Sequence, residues 1–313
     1  MSTKERLLFG GVGGILIVSA LAFLHSTAST NDNPTVEDWQ AAAALIQSEF
    51  QSGDGVRVHP IWRRDGAARI VPLDVRMDEP SGLVDLSQPP DPLFVSRHRR
   101  VWLVSAMGRD DRPEGWEDLV EEFSTRISDS MTVSRYATPR SPILVDLLTQ
   151  VPLARVERVQ EGKPLRKCTW RDKAHRCNGR PWEDVTVVFA MVGGSPRRCI
   201  KLHPYPNNGL VRILFQKQTL GQSLLFRSGI TLEAARRKEG SDATVIVSID
   251  GQERLRWTEP RNGWDWTSHR IDTSEKAGQM AQISIDVHAL DEQFRDVCLD
   301  GYILSDAVSG EQR

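Results

Sequence analysis

Helical periodicity nearly vanishes after Pro152, and this change limits the possible folds more than any other feature of the chain. Downstream, the sequence breaks into short runs rich in β-branched and aromatic residues: Val185–Val192, Cys199–His203, Leu210–Phe215, Leu224–Phe226, Ala243–Asp250, Arg254–Thr258, Thr267–Ile271, Ala281–Ala289 and Val297–Leu304. Gly193-Gly194, Asn207-Asn208-Gly209 and Asp250-Gly251 punctuate them as turns. In one run Val245, Val247 and Ile249 alternate with Thr244, Ile246 and Ser248, and Asp250-Gly251 then supplies a favoured hairpin turn. Strands of this number and spacing predict a jelly-roll β-sandwich over residues 155–305.

The preceding stretch mixes two periods. Trp39, Ala42, Ala43, Ile46 and Phe50 recur at helical spacing and predict a helix from Val36 to Phe50. Gly53-Asp54-Gly55 reads as a turn, and Val56–Trp62 and Ile70–Val75 as strands. Asp78 to Leu93, rich in Pro, Ser and Asp, reads as an irregular loop. Arg100–Ala106 is an almost unbroken apolar strand of the kind buried on both faces. Trp116, Leu119, Val120 and Phe123 predict a second helix from Gly115 to Ile127, and Met131–Tyr136 a further strand. Trp39, Trp62, Trp102 and Trp116 are assigned to the core. The expectation is an α+β two-domain chain: a small three-layer α/β domain over residues 35–150, followed by the jelly-roll sandwich.

At the N-terminus, Lys4 and Arg6 precede an uncharged stretch, Leu7–Leu24. At 1.5 Å per residue this is about 27 Å of helix, enough to cross a bilayer core. The flanking charge favours a single N-terminal transmembrane helix with the bulk outside the cytoplasm, which would be the periplasm for a bacterial inner-membrane protein. The other reading is a cleaved signal segment within residues 1–30, with Ser26-Thr27-Ala28 as the small-residue site. Gly10-Gly11-Val12-Gly13-Gly14 contains a GxxxG spacing, which reads as a small-residue patch in a lone anchor.

Cysteine usage agrees with export. Cys168, Cys177, Cys199 and Cys298 all lie in the second half, an even number that predicts two disulfides in an oxidising compartment. Three pairings are possible. Cys168–Cys177, closing a short loop, and Cys199–Cys298, tying an early strand to a late one, are favoured. A zinc site from Cys168, His175 and Cys177 is the alternative, disfavoured because no CxxC spacing occurs.

A net charge of −2 gives no basic field for nucleic acid. The local basic run Arg97, His98, Arg99 and Arg100 reads as a solvated strand entry, and Arg236, Arg237 and Lys238 as a solvated turn. No GxSxG, Walker, HExxH or EF-hand motif occurs, so no cofactor or metal is expected. His59, before Pro60 at a strand end, could serve an α/β site, but reads first as a satisfied, partly exposed histidine.

Aromatic residues carry the clearest binding signal. Trp257, Trp264 and Trp266 fall close together with Glu259, Arg261, Asp265 and His269. Sugars present C–H faces that stack on indoles and hydroxyls that pair with charged groups, so this segment reads as a candidate sugar platform. The structural alternative places Trp264 and Trp266 as a cap on the sandwich core and Trp257 in a strand. His203 and Tyr205 form a second candidate loop.

The segment Asp38-Trp39, Gly53-Asp54, Val56–Trp62 and Arg100–Ser105 resembles the soluble region of bacterial protein-mannosyltransferase-type membrane glycosyltransferases. The second half is similar to galactose-binding-like carbohydrate-binding modules, on Arg198-Cys199-Ile200, His203-Pro204, Leu220-Gly221, Gly229-Ile230, Asp250-Gly251, Gly263-Trp264, Ile271-Asp272-Thr273 and Arg295 to Cys298. The chain departs from the transferases in having one apolar span and no DxD pair. The resemblance therefore implies non-catalytic recognition of a glycan or glycoprotein, accessory to envelope glycosylation. The competing expectations are a structural envelope component that binds a protein partner, and a glycan-active enzyme with its site in the α/β domain.

Overall fold

A computed structural model describes residues 33–51, 53–60, 92–109, 112–113, 116–117, 119–177, 180–205 and 209–306. The Leu7–Leu24 run, the Ile70–Val75 strand and Trp62 lie outside them. Among the described residues no helix is long and apolar enough to cross a membrane. The chain divides into two compact units, with the boundary between Arg140 and Ser141.

The first unit opens with helix α1, Val36–Glu49. Thr35 and Asp38 start it as a reciprocal cap: the Thr35 hydroxyl accepts from the Asp38 N–H and the Asp38 carboxylate accepts from the Thr35 N–H. Strands β1 (Asp54–His59), β2 (Arg100–Ala106), β3 (Val120–Ser128) and β4 (Met131–Ala137) form a sheet of order β1-β2-β4-β3. Strands β1 and β2 run parallel; the other pairs are antiparallel. Trp39, Ala42 and Ile46 of α1 pack on Val56, Val58, Trp102, Val104 and Val133. The opposite face carries Val101, Leu103 and Tyr136, covered by Val95, Trp116 and Leu119.

Two expectations are corrected here. The segment expected as a helix from Gly115 to Ile127 contains strand β3. Its apolar residues serve opposite faces of the sheet, since Trp116 and Leu119 pack with Tyr136 whereas Phe123 and Ile127 pack on the α1 side. Their helical spacing is therefore not one stripe, and the second outer layer contains no long helix among the described residues. The basic run is not uniformly solvated either: His98 is buried, and Arg100 clamps the buried Asp54 carboxylate at 2.5 Å beside the Trp102 indole N–H at 3.0 Å.

The second unit is a β-sandwich. Strand β5 (Ile143–Asp146) is followed by β6 (Arg155–Val159), β7 (Arg166–Arg171), β8 (Ala174–Arg176), β9 (Val185–Val192), β10 (Ser195–Leu202), β11 (Leu210–Thr219) and β12 (Ser223–Ile230). Then come β13 (Ala243–Ile249), β14 (Gln252–Glu259), β15 (Thr267–Asp272), β16 (Met280–Ala289) and β17 (Val297–Leu304). Hydrogen bonding runs β14-β13-β16-β11-β6-β7-β8-β9-β10-β17-β12-β15, with β5 on β17. The sheet folds back on itself, so that Val245, Ile285 and Ile213 from its first half meet Ile200, Leu299 and Phe226 from its second in one core.

All nine runs read from the sequence are strands, and the Asp250-Gly251 turn has both residues at positive φ, 52° and 77°. Strands β5 to β8 were not expected. Both predicted disulfides are present, Cys168–Cys177 between the β7 and β8 ends and Cys199–Cys298 between β10 and β17. The zinc reading falls with them: both sulfurs are bonded to each other, and the buried His175 holds its Nε2 2.7 Å from the Val151 carbonyl.

Candidate functional site

Strand β14 belongs to one half of the sandwich and β15 to the other, so the loop 260–266 crosses between them. A polar clasp closes the edge at its base. Glu259 is buried, and its Oε1 accepts from the Trp257 indole N–H at 2.9 Å, from the Thr267 hydroxyl at 2.9 Å and from the Ser228 hydroxyl. Three donors on one oxygen compensate a buried carboxylate for lost water. The Trp257 N–H also reaches Ser228 Oγ at 2.8 Å. His269 stacks on Trp257, centroids 4.4 Å apart. Burial lowers the His269 pKa against the opposing pull of the Glu259 charge. Trp257 thus faces inward and is engaged by the protein itself.

The loop beyond the clasp is pinned on two sides. The Arg261 N–H donates to Asp242 Oδ1 at 2.8 Å, its guanidinium donates to the Lys238 carbonyl at 2.6 Å, and its own carbonyl accepts from the Arg295 guanidinium at 2.7 Å. On the other side the backbone rests on two glycines. A Cβ at Gly193 would stand 3.1 Å from the Trp264 carbonyl, and one at Gly229 would stand 2.5 Å from the Asp265 carbonyl and 2.5 Å from Val192 Cγ1. The approach is too close for any side chain at Gly229.

This anchoring sends the two loop tryptophans different ways. Trp266 is half-buried against Val192 and the Cys199–Cys298 sulfurs, with the Arg197 and Arg227 guanidinium carbons 5.8 Å and 5.9 Å from its ring. Its Nε1 is buried and has no hydrogen-bond partner among the described residues. Trp264, in contrast, is 50% exposed, and Asp265 beside it is exposed too. The result is one indole held out from a loop pinned on two sides, next to a carboxylate.

The second candidate loop is engaged internally. His203 is buried with Nδ1 3.1 Å from Asp296 Oδ1, and Lys201 lies 3.6 Å from the other oxygen of that carboxylate. Tyr205 packs on the sandwich core beneath the Arg158 guanidinium, 4.8 Å from its ring centre. Arg158 is in turn paired with Glu183 at 2.5 Å. His59 is a buried residue at the end of β1, opposite Ser105 in register. Among the described residues no cluster of three or more His, Cys, Asp or Glu side chains is placed to hold a metal ion.

No protein-family model matches the chain, and no curated protein matches it in sequence. Solved structures give distant overlaps. One is the CBM51-2 and INT domains of Clostridium perfringens ZmpB, at 13% identity and TM-score 0.31, spanning 49% of this chain and 37% of that one. Another is CBM27-1 of Caldicellulosiruptor saccharolyticus in complex with mannohexaose, at 15% identity and TM-score 0.31, spanning 44% of this chain and 89% of that one. A third is the CBM51 of a Clostridium perfringens GH95 in complex with methyl-galactose, at 10% identity and TM-score 0.28. These neighbours are carbohydrate-binding modules. The glycosyltransferase resemblance finds no counterpart among them.

Two features near the loop escaped the sequence reading: the carbonyl-binding role of Arg295 and the exposure of Phe294 beside it. Arg295 heads the Arg295 to Cys298 landmark of the resemblance, which marked its place and not its role, and nothing in the sequence marked Phe294.

Proposed function

We propose that the C-terminal sandwich recognises a glycan, with the outward face of Trp264 as its stacking surface and Asp265 as an acceptor for sugar hydroxyls. The observation that supports this most is the half-exposed Trp264 indole on a loop fixed by Arg261, Arg295 and the glycines at 193 and 229. An aromatic surface on a loop already pinned by the protein binds a sugar face at a reduced ordering cost. Trp266 supports the platform from below, and Trp257 and His269 lock its base. Two disulfides fit an oxidising compartment. Together with the apolar Leu7–Leu24 run, this gives a bacterial envelope protein anchored at the inner membrane, or released after signal cleavage, with a recognition role accessory to envelope glycosylation.

The test is a glycan array probed with the disulfide-intact full-length protein and with its Trp264→Ala variant. The parent should bind at least one glycan series, and the variant should lose tenfold or more in affinity, about 1.4 kcal/mol. Its unfolding midpoint should not move, because Trp264 gives little area to the core. A folded parent that binds no glycan, or a variant that binds as the parent does, refutes the reading.

One observation favours a protein partner instead. Phe189, Met191, Leu290 and Phe294 are exposed apolar residues of the same unit, and such residues mark interaction surfaces where they are contiguous. Under that reading the array is blank and substitutions at Phe189 and Met191 disrupt a complex recovered from the envelope.

A further inference from the structure

Arg295 has no solvent exposure, and its guanidinium is bound by main-chain carbonyls: those of Gln293 at 3.2 Å, Arg261 at 2.7 Å and Glu239. Gly240 lies so close that a Cβ there would sit 2.2 Å from Arg295 Nε. One buried cation therefore ties together the loop after the short helix Leu232–Ala235, the Trp264 loop and the β16–β17 loop. Ser241 and Asp291 add a second tie between the first and the last of these, through a backbone bond of 2.9 Å and a hydroxyl bond of 3.0 Å.

The residue next to this hub is Phe294. Its backbone is strained and its ring is presented outward. Its φ is +53°, in the left-handed region that L side chains seldom adopt. It is 47% exposed. The Arg237 guanidinium lies over its ring at 4.8 Å, engaging it at the surface and not in the core. An outward aromatic held in strained backbone by an over-determined loop is the kind of outlier that marks a binding position.

We infer that Phe294 is a second aromatic contact of the site presented by Trp264, and that the site takes an oligosaccharide in preference to a single sugar. The inference rests on the glycan reading above and extends it. Two exposed rings on loops joined by polar main chain suit a ligand that alternates apolar C–H faces with hydroxyls. Arg237 flanks the Phe294 ring and donates to hydroxyls there. Because Arg295 ties the loops to one another, a ligand long enough to reach both rings gains the second contact.

The test uses full-length protein on an array of mono-, di- and tetrasaccharides of the glucose, galactose, mannose and N-acetylglucosamine series. The parent should bind the tetrasaccharide of at least one series tenfold or more tightly than its monosaccharide. Phe294→Ala should abolish that length preference while keeping monosaccharide binding, and Trp264→Ala should lose both. Phe294→Gly serves as a second variant, because glycine relieves the positive φ and keeps the loop folded while removing the same ring. Binding without length dependence, or a length preference that survives loss of the ring, overturns this inference and leaves the glycan reading standing. Absence of all binding by the folded parent overturns both.

Discussion

Removing the two disulfides separately should destabilise the sandwich unequally. Cys199–Cys298 spans 99 positions and Cys168–Cys177 spans 9. If a cross-link acts by restricting the unfolded chain, the long closure contributes about 4.7 kcal/mol and the short one roughly 2.6 kcal/mol. Packing pushes the same way, since Cys199 and Cys298 are fully buried beneath Val192 and Trp266. Cys199→Ala with Cys298→Ala should therefore cost about 5 kcal/mol, a third or more of the stability of an ordinary domain. Urea unfolding followed by tryptophan fluorescence measures the difference directly. At an m-value of about 2 kcal/mol/M the long-bond variant should unfold at roughly 2 M less urea than the parent. The short-bond variant should lose about half as much. Equal losses, or a larger loss from Cys168→Ala with Cys177→Ala, would refute the loop-entropy argument and place the stabilisation in the native contacts of the β7–β8 corner.

Two further outcomes follow from close contacts and from charge. Gly229→Ala should push Asp265 off the β12 backbone, costing about 2 kcal/mol in thermal or urea unfolding and weakening any glycan binding through Trp264, because its Cβ would stand 2.5 Å from a carbonyl. A variant as stable as the parent, with the loop unmoved, contradicts the packing. In the first unit, burial first and the Arg97 charge second push the His98 pKa from 6.5 down to about 4, with Asp54 opposing. Between those two pH values the unfolded chain binds the proton and the folded chain does not. The stability is therefore complete above pH 6.5 and declines as pH falls toward 4, by about 3 kcal/mol at most. Denaturation midpoints measured across that window should slope in the parent and flatten in His98→Gln; parallel slopes would contradict a buried neutral His98.

What could be read from the sequence followed strict local patterns. Strands β9 to β17 were legible because their inward positions are apolar and their turns carry Gly, Asn or Asp. Strands β6 and β7 were not, because Arg155–Val159 and Arg166–Arg171 are dominated by charged residues. Glu157 and Arg158 are nevertheless buried, and Arg158 is tolerated there because Glu183 and Tyr205 accept its charge from elsewhere in the chain. No local pattern announces that rescue. Strand β3 failed for another reason: a helical spacing of apolar residues arose by adding residues that serve one face of a sheet to residues that serve the other.

The three tryptophans show where the candidate site became illegible. Trp257 follows strand parity: it pairs with Val245, whose alternation already assigns it to the core, so its inward direction could have been read. For Trp264 and Trp266 parity gives no answer. Pro260 and the Gly263 turn break the two-residue period before the chain re-enters β15. Which indole faces out is then decided at a distance, by the missing side chains of Gly193 and Gly229 and by a guanidinium more than thirty residues away. A surface loop of this kind takes its direction from what it rests on. The residues that orient the candidate platform are therefore glycines and a buried arginine, which carry no chemical signature of a ligand.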